Sequence, residues 1–350
     1  YTPRTLFPYT TLFRSFSGPG LALFHSLASR GAQVIALHPT PASPEILQLI
    51  LLLRSATGNE RLYADECDMS SIGSIHAFVK RWEKDGRVGM MQDLEARIEG
   101  IIFCDGEGAG LEGVGMGVGR LITDDGAELF HSALLVSRHA LIQLLLPTLL
   151  KSAATSPVRI ISHASPLYAA RPLDLSDLDY SARTYPRWEP WLAEGHASLG
   201  SIALLRELQV RVDESRKSGG GGLVVLSVCG GFTRAWFRRM LRAERMHPRF
   251  SWWGFLAYVV LFPLIWVFGK SAEEASQGML GAVLGSVRGW DGPVVLEEDG
   301  QEEKMGLEEK FKKVKENEAK RLRGGAVYRE GREVRCVAFS FLFLTDGANS

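Results

Sequence analysis

Residues Phe16 to Pro39, FSGPGLALFHSLASRGAQVIALHP, decide the fold. Gly18 and Gly20 allow a tight turn. Leu21 to Ser29 has apolar residues at helical spacing, and Gly31 follows as a C-cap. Gln33 to Leu37 reads as a short buried strand. Loop, helix, turn and strand in this order form half of an alternating α/β unit.

The alternation continues outward. Pro39, Pro41 and Pro44 punctuate a loop, and a helix is expected over Pro44 to Ala56 with proline in its first turn. Arg61 to Cys67 is a second strand candidate, ending at Asp68. Ser71 to Trp82 is a helix capped by Ser70 or Ser71, and Ile98 to Cys104 an apolar strand. A glycine-rich segment spans Gly106 to Gly119. Ala127 to Leu150 is helical, leucine-dense, and expected to break or bend near Pro147. Val158 to Ser162 is a strand, Leu199 to Arg211 an amphipathic helix, and Gly219 to Gly222 a turn. Leu223 to Val228, LVVLSV, is the most apolar strand, as expected of one covered on both faces. Strands alternating with helices at this spacing predict an α/β fold built on a doubly wound parallel sheet.

Composition narrows the function classes. The 350 residues carry 40 Lys+Arg and 40 Asp+Glu, so no net basic surface supports nucleic-acid binding. Hydrophobic residues at 46% and charged residues at 23% exclude wholesale disorder. Four cysteines without a close pair exclude a disulfide scaffold and a CxxC zinc site, and no HxH or HExxH spacing suggests a metal. No Gly-x-Ser-x-Gly elbow surrounds any serine, which disfavours a hydrolase.

From Phe16 to Leu284 the ordered segments resemble the short-chain dehydrogenase/reductase family, most closely its retinol-dehydrogenase-like branch. CDMSSIGSIHAF, Cys67 to Phe78, matches the acidic segment after the third strand. The resemblance gives Asp68 an adenine contact, and helix capping is its simpler second role. Gly18 and Gly20 match the last two glycines of the family's nucleotide loop. VRIISHAS, Val158 to Ser165, places Ser165 at the family's catalytic serine. SVCGGFTRAW, Ser227 to Trp236, matches the sixth strand and its following loop, and FGKSAEEASQ, Phe268 to Gln277, a later segment. The resemblance thus implies a Rossmann-type domain that binds NAD or NADP. Gly18, Gly20, His38, Asp68, Cys104, Gly106, Gly231 and Thr233 are then the cofactor-binding positions. His38 stands where an acid favours NAD and an arginine NADP, and decides neither.

The family's chemistry fails to match. It requires a tyrosine acid with a lysine four residues later. Alignment on Arg206 to Leu208 puts these at Glu194 and Ser198, and a shift of two puts them at His196 and Gly200. Neither gives Tyr-x-x-x-Lys. The turn expected to hold two asparagines reads Phe103-Cys104-Asp105-Gly106, and the active-site asparagine falls near Leu134. The only asparagines are Asn59, Asn317 and Asn349, so no realignment supplies them. Ser165 alone survives, with Glu194 and His196 as weak substitutes for a proton donor. The expectation is a family member without ordinary oxidoreductase catalysis. The alternatives are an active reductase of a hydrophobic alcohol or ketone with a displaced acid, and a membrane-associated scaffold protein. Gly108 to Gly113 spells GxGxxG but opens no helix, so it reads as a loop insertion.

Three segments fall outside the family pattern. Thr5 to Ser15, TLFPYTTLFRS, looks like a translated sequencing adapter. Residues 1–15 are therefore expected to be foreign and the family's first strand lost or replaced. Ser251 to Gly269, SWWGFLAYVVLFPLIWVFG, has no formal charge and follows Arg238, Arg239, Arg242, Arg245 and Arg249. It is expected to touch a membrane, as a surface or single-pass element, or else to be a buried helix pair bent at Pro263. Gln301 to Arg323 reads as a charged, solvated helix, and CVAFSFLFLTDGANS beyond it stays undecided between an apolar strand and a reading error. The expected layout is 1–15, a domain over 16–290 with 251–269 as hydrophobic lid or membrane segment, and a tail over 291–350. A hydrophobic small molecule or lipid is the expected partner. The opening residues have no signal-peptide pattern, so an intracellular protein, on an organelle surface, is expected.

Overall fold

The computed structural model describes residues 10–14, 18–85, 98–104, 114–154, 156–170, 172–180, 185–217, 222–243, 250–285, 327–329 and 332–334. The expected α/β architecture is present. In chain order the elements are β1 (Thr10–Arg14), α1 (Gly18–Ser29), β2 (Gln33–His38), α2 (Pro44–Thr57), β3 (Leu62–Glu66), α3 (Ile72–Asp85) and β4 (Ile98–Phe103). A π-helical turn, His131–Val136, leads into α4 (Ser137–Ala153). Then come β5 (Val158–Ala164), a 3₁₀ turn (Pro166–Ala169), α5 (Trp191–Lys217), β6 (Leu223–Cys229), α6 (Arg234–Met240), α7 (Trp252–Phe268), α8 (Ala272–Leu284), β7 (Val327–Arg329) and β8 (Arg332–Val334).

The strands form one sheet in the order β3-β2-β1-β4-β5-β6-β7-β8, all parallel except the final β7–β8 pair. Alternation along each strand feeds two cores. Val34 and Ala36 of β2, with Val224 and Leu226 of β6, pack against Leu23 and Phe24 of α1, Ile50 of α2 and Met279 of α8. Ile35 and Leu37, with Val225, face Phe78 of α3, Leu145 of α4 and Leu205 of α5. Both faces are covered, which is why these strands are apolar throughout.

Several expectations need correcting. The first-strand position is filled by Thr10–Arg14, inside the adapter-like segment. Its backbone pairs with Gln33–Leu37 on one side and with Ile98–Phe103 on the other. α4 runs through Pro147, which lies on its exposed side, without a break. The start of α3 is held from a distance: the Ile72 amide donates to Asp125 Oδ2 at 2.9 Å. Ser251 to Gly269 is not a buried helix pair but one helix, α7, in which only Ile265 is buried. Beyond Gly324, Val327–Arg329 and Arg332–Val334 extend the sheet. Gly106 and the expected charged helix over Gln301 to Arg323 lie outside the described residues.

Among the described residues one helix is long and apolar enough to cross a membrane, His131–Ala153, and it is half buried in the protein core. Leu141, Leu145 and Leu149 are buried in the core that the sheet and α3 share, so its hydropathy is that of a core helix.

Candidate functional site

From β1 the chain moves outward to β2 and β3, then returns to the other side of β1 as β4, β5 and β6. The order reverses between β1 and β4, and the crevice outside the carboxyl ends there is where such sheets bind ligands. Gly18, Gly20, His38, Asp68, Cys104, Ser165, Gly231 and Thr233 all follow or end strands at this edge. The sequence therefore placed its candidates at one end of the sheet.

Their side chains have differing freedom. Gly18 begins α1 with φ +51°, and nothing lies within 4 Å of where a Cβ would stand. This leaves room for a group to approach the helix N-terminus, and the left-handed φ favours glycine. Gly20 is buried. His38 Nδ1 accepts from the Thr40 amide at 3.1 Å. Asp68 Oδ1 accepts from Ser70 N and Oγ at 2.8 and 2.7 Å, closing a turn ahead of α3 instead of the expected helix cap. Cys104 turns its thiol into the core, donating to Met279 Sδ at 3.7 Å, so only its backbone edges the crevice. Gly231 has φ +84° and faces the Lys270 side chain. Thr233 Oγ1 caps α6, accepting from the Trp236 amide at 3.1 Å.

Ser165 ends β5 and is buried. Its Oγ accepts from the Leu167 amide at 3.4 Å, and its own amide donates to Ser198 Oγ at 2.9 Å. α5 approaches closely here, since a Cβ at Gly195 would collide with the Leu167 carbonyl. Ser198 is therefore a positioning contact for the serine turn. Arg138, fully buried on α4, donates from Nη1 to Ser162 Oγ at 2.6 Å and to the His163 carbonyl at 2.9 Å. It holds the end of the strand that carries Ser165.

Glu194 and His196, the candidate acids, are both engaged. Glu194 Oε2 lies 2.9 Å from Arg239 Nη2, and both its oxygens accept from Trp236 Nε1 at 3.2 Å. The ion pair is almost wholly buried. His196 Nε2 accepts from the Asp174 amide at 3.0 Å, and its ring meets Tyr180 edge-on at 5.1 Å. Tyr185 donates to Glu128 Oε1 at 3.2 Å. Burial, then the adjacent Glu128 carboxylate, pushes the Tyr185 phenol up. A tyrosine acid of this family needs the opposite shift.

Sequence reading missed Arg239, Trp236 and Arg138 as parts of this region, and gave Ser198 only as the position of an absent lysine. The arginine cluster before the apolar stretch was visible, but nothing in spacing alone pairs Arg239 with Glu194 across 45 residues. Among the described residues no cluster of His, Cys, Asp or Glu could hold a metal ion.

The fold is that of the short-chain dehydrogenases/reductases. A crystallised RhlG/NADP active-site complex from Pseudomonas aeruginosa superposes with a TM-score of 0.51 at 18% identity, covering 81% of this chain and 92% of that one. An NADPH-bound short chain oxidoreductase of the same organism, containing an atypical catalytic center, gives a TM-score of 0.50 at 20% identity over 78% and 91%. In sequence the chain is similar to uncharacterized oxidoreductases of two yeasts. The Schizosaccharomyces pombe protein is 26% identical over 76% of this chain and 67% of its own length. The Saccharomyces cerevisiae protein is 24% identical over 76% and 65%. The chain thus spans about two thirds of the curated relatives it matches. No family model matches it. The resemblance read from Cys67–Phe78 and Val158–Ser165 is borne out at the level of fold.

Proposed function

We propose that the chain binds NAD or NADP across the carboxyl edge of its sheet and lacks ordinary hydride-transfer catalysis. The cofactor reading rests on the switch-point geometry and the open Gly18 turn, together with the nicotinamide nucleotides named for the two superposed structures. In this reading Gly18 and Gly20 seat the pyrophosphate at the α1 N-terminus. His38 and Asp68 border the adenosine, and the backbone of Cys104, with Gly231 and Thr233, borders the nicotinamide. When bound, the cofactor would supply a hydride acceptor or donor.

The observation that carries the loss of catalysis is the Glu194–Arg239 pair. Both oxygens of the residue at the tyrosine position accept from the Trp236 indole and one pairs with Arg239, so this buried side chain is already committed within the protein. The displaced-acid alternative meets the same engagement at Glu194, and the His196 ring is held by the Asp174 amide and the edge of Tyr180. Titration calorimetry of the full chain with NADH and NADPH, followed by turnover assays on hydrophobic ketones, tests both parts. Binding without turnover is expected, and Gly18→Val should abolish the binding. Ketone reduction that Ser165→Ala removes would overturn the catalytic part. Absence of binding to either nucleotide would overturn the cofactor part.

A further inference from the structure

We infer that α7 lies flat in the surface of an anionic lipid bilayer and seats the molecule there. α7 has no formal charge over its 17 residues, and nearly all of its side chains are exposed. Trp253 is 80% exposed, Val260 70%, Val267 73% and Phe268 74%. At 3.6 residues per turn, the exposed apolar side chains cover about three quarters of the helix circumference. Trp252, Leu256 and Val260 lie on one side, Phe262 and Trp266 on a second, and Leu261 and Phe268 on a third. A helix apolar all round belongs in a core or in lipid. A protein partner, or a second copy of this chain, would cover one face. Fluid lipid covers every face the domain leaves open.

The orientation follows from how the ends are held. At the start, the Ser251 amide donates to the Arg242 carbonyl at 3.1 Å. At the end, Arg234 Nε donates to the Gly269 carbonyl at 3.0 Å, and its guanidinium sits 3.8 Å over the Trp266 ring. The Lys270 amide donates to the Phe232 carbonyl at 2.9 Å. Both ends are therefore tied to the Phe232–Arg242 segment of the same domain. A spanning helix would have its ends on opposite sides of the bilayer, and at about 1.5 Å per residue this one is short of the hydrocarbon thickness. An in-plane position satisfies both facts. Trp252, Trp253 and Trp266 then stand at headgroup depth. Arg234, stacked on Trp266, and the exposed Arg238 of α6, which packs on α7, supply charge complementary to anionic headgroups.

Flotation of the full-length protein with phosphatidylcholine vesicles, with and without phosphatidylserine, tests this independently of any nucleotide. Wild type should float with both and more strongly with phosphatidylserine. The double variant Val260→Glu, Val267→Glu should bind about tenfold less while its melting temperature stays close to wild type. Arg238→Glu should lose only the phosphatidylserine preference. Tryptophan quenching should be stronger from bromines near the headgroups than from bromines near the bilayer centre. The proposal is overturned if wild type floats with neither vesicle, if the double variant floats undiminished, or if the deep bromines quench more. It is equally overturned if wild type is a vesicle-free dimer that the double variant converts to monomer.

Discussion

Glu194 and Arg239 show what single residues contribute. Each ion is removed from water, so the pair holds only while both partners are present. Glu194→Ala should destabilise by about 3–5 kcal/mol, and Glu194→Met with Arg239→Met by much less. Urea unfolding of the two single variants and the double variant measures the coupling. Glu128 gives a pH-dependent test. Burial raises its carboxyl above the usual 4.5, against the pull of the His131 amide, the Phe130 amide and the Tyr185 hydroxyl. A raised acid adds stability below its unfolded value and loses it as pH rises through the folded one. The stability of wild type relative to Glu128→Gln should therefore fall as pH rises from about 4.5 through the raised folded value, as read from urea midpoints. Asn59, the only asparagine among the described residues, is structural. Its Nδ2 donates to the Ala28 and Ala32 carbonyls at 3.0 and 2.8 Å, and its Oδ1 accepts from the Arg61 amide at 3.0 Å. Asn59→Ala leaves those groups unpaired and should cost about 1–3 kcal/mol.

At the scale of elements, stability sits in the helix starts and the buried strands. Ser271 and Glu274 close a reciprocal capping box on α8, with Glu274 Oε2 accepting from the Ser271 amide at 2.7 Å. That backbone hydrogen bond, then the one to the Ser271 hydroxyl, holds the Glu274 carboxyl below its ordinary value. Ser271→Ala should lower stability by about 1 kcal/mol, visible as a drop of a few degrees in melting temperature. α8 packs on both α1 and β6, so a loosened start would also be felt in the Met279 core. β6 is buried along its whole length. Leu226→Ala should cost about 2–5 kcal/mol in the same assay, because both sheet faces resist collapse into the cavity.

The whole molecule depends on a strand from an unexpected source. β1 joins the β2–β3 half of the sheet to the β4–β8 half, and among the described strands no other bridges them. Removing residues 1–14 should abolish cooperative unfolding, measured by circular dichroism against temperature. Thr10–Arg14 stands where the family reading expected the first strand to be lost or replaced. The carboxyl edge of the sheet and α7 then divide the molecule's surface, one lined by the nucleotide candidates and the other apolar.

The sequence by itself determined the α/β alternation, because apolar runs such as LVVLSV and glycine-ended helices encode it locally. It also placed Gly18, Asp68, Ser165 and Gly231 at one sheet edge, since strand ends follow from the same pattern. The missing Tyr-x-x-x-Lys was legible too, because it is a question of residue identity. Other features rest on contacts far apart in the chain and came into view only with the folded packing. Arg239 reaches Glu194, Asn59 bridges α1 to β2, Asp125 holds α3, and Arg138 fixes the Ser165 strand. The exposure of α7 belongs here as well. The hydropathy of Ser251 to Gly269 fits a buried helix and a lipid-facing one equally, and only the packing of its neighbours leaves its apolar side chains facing outward.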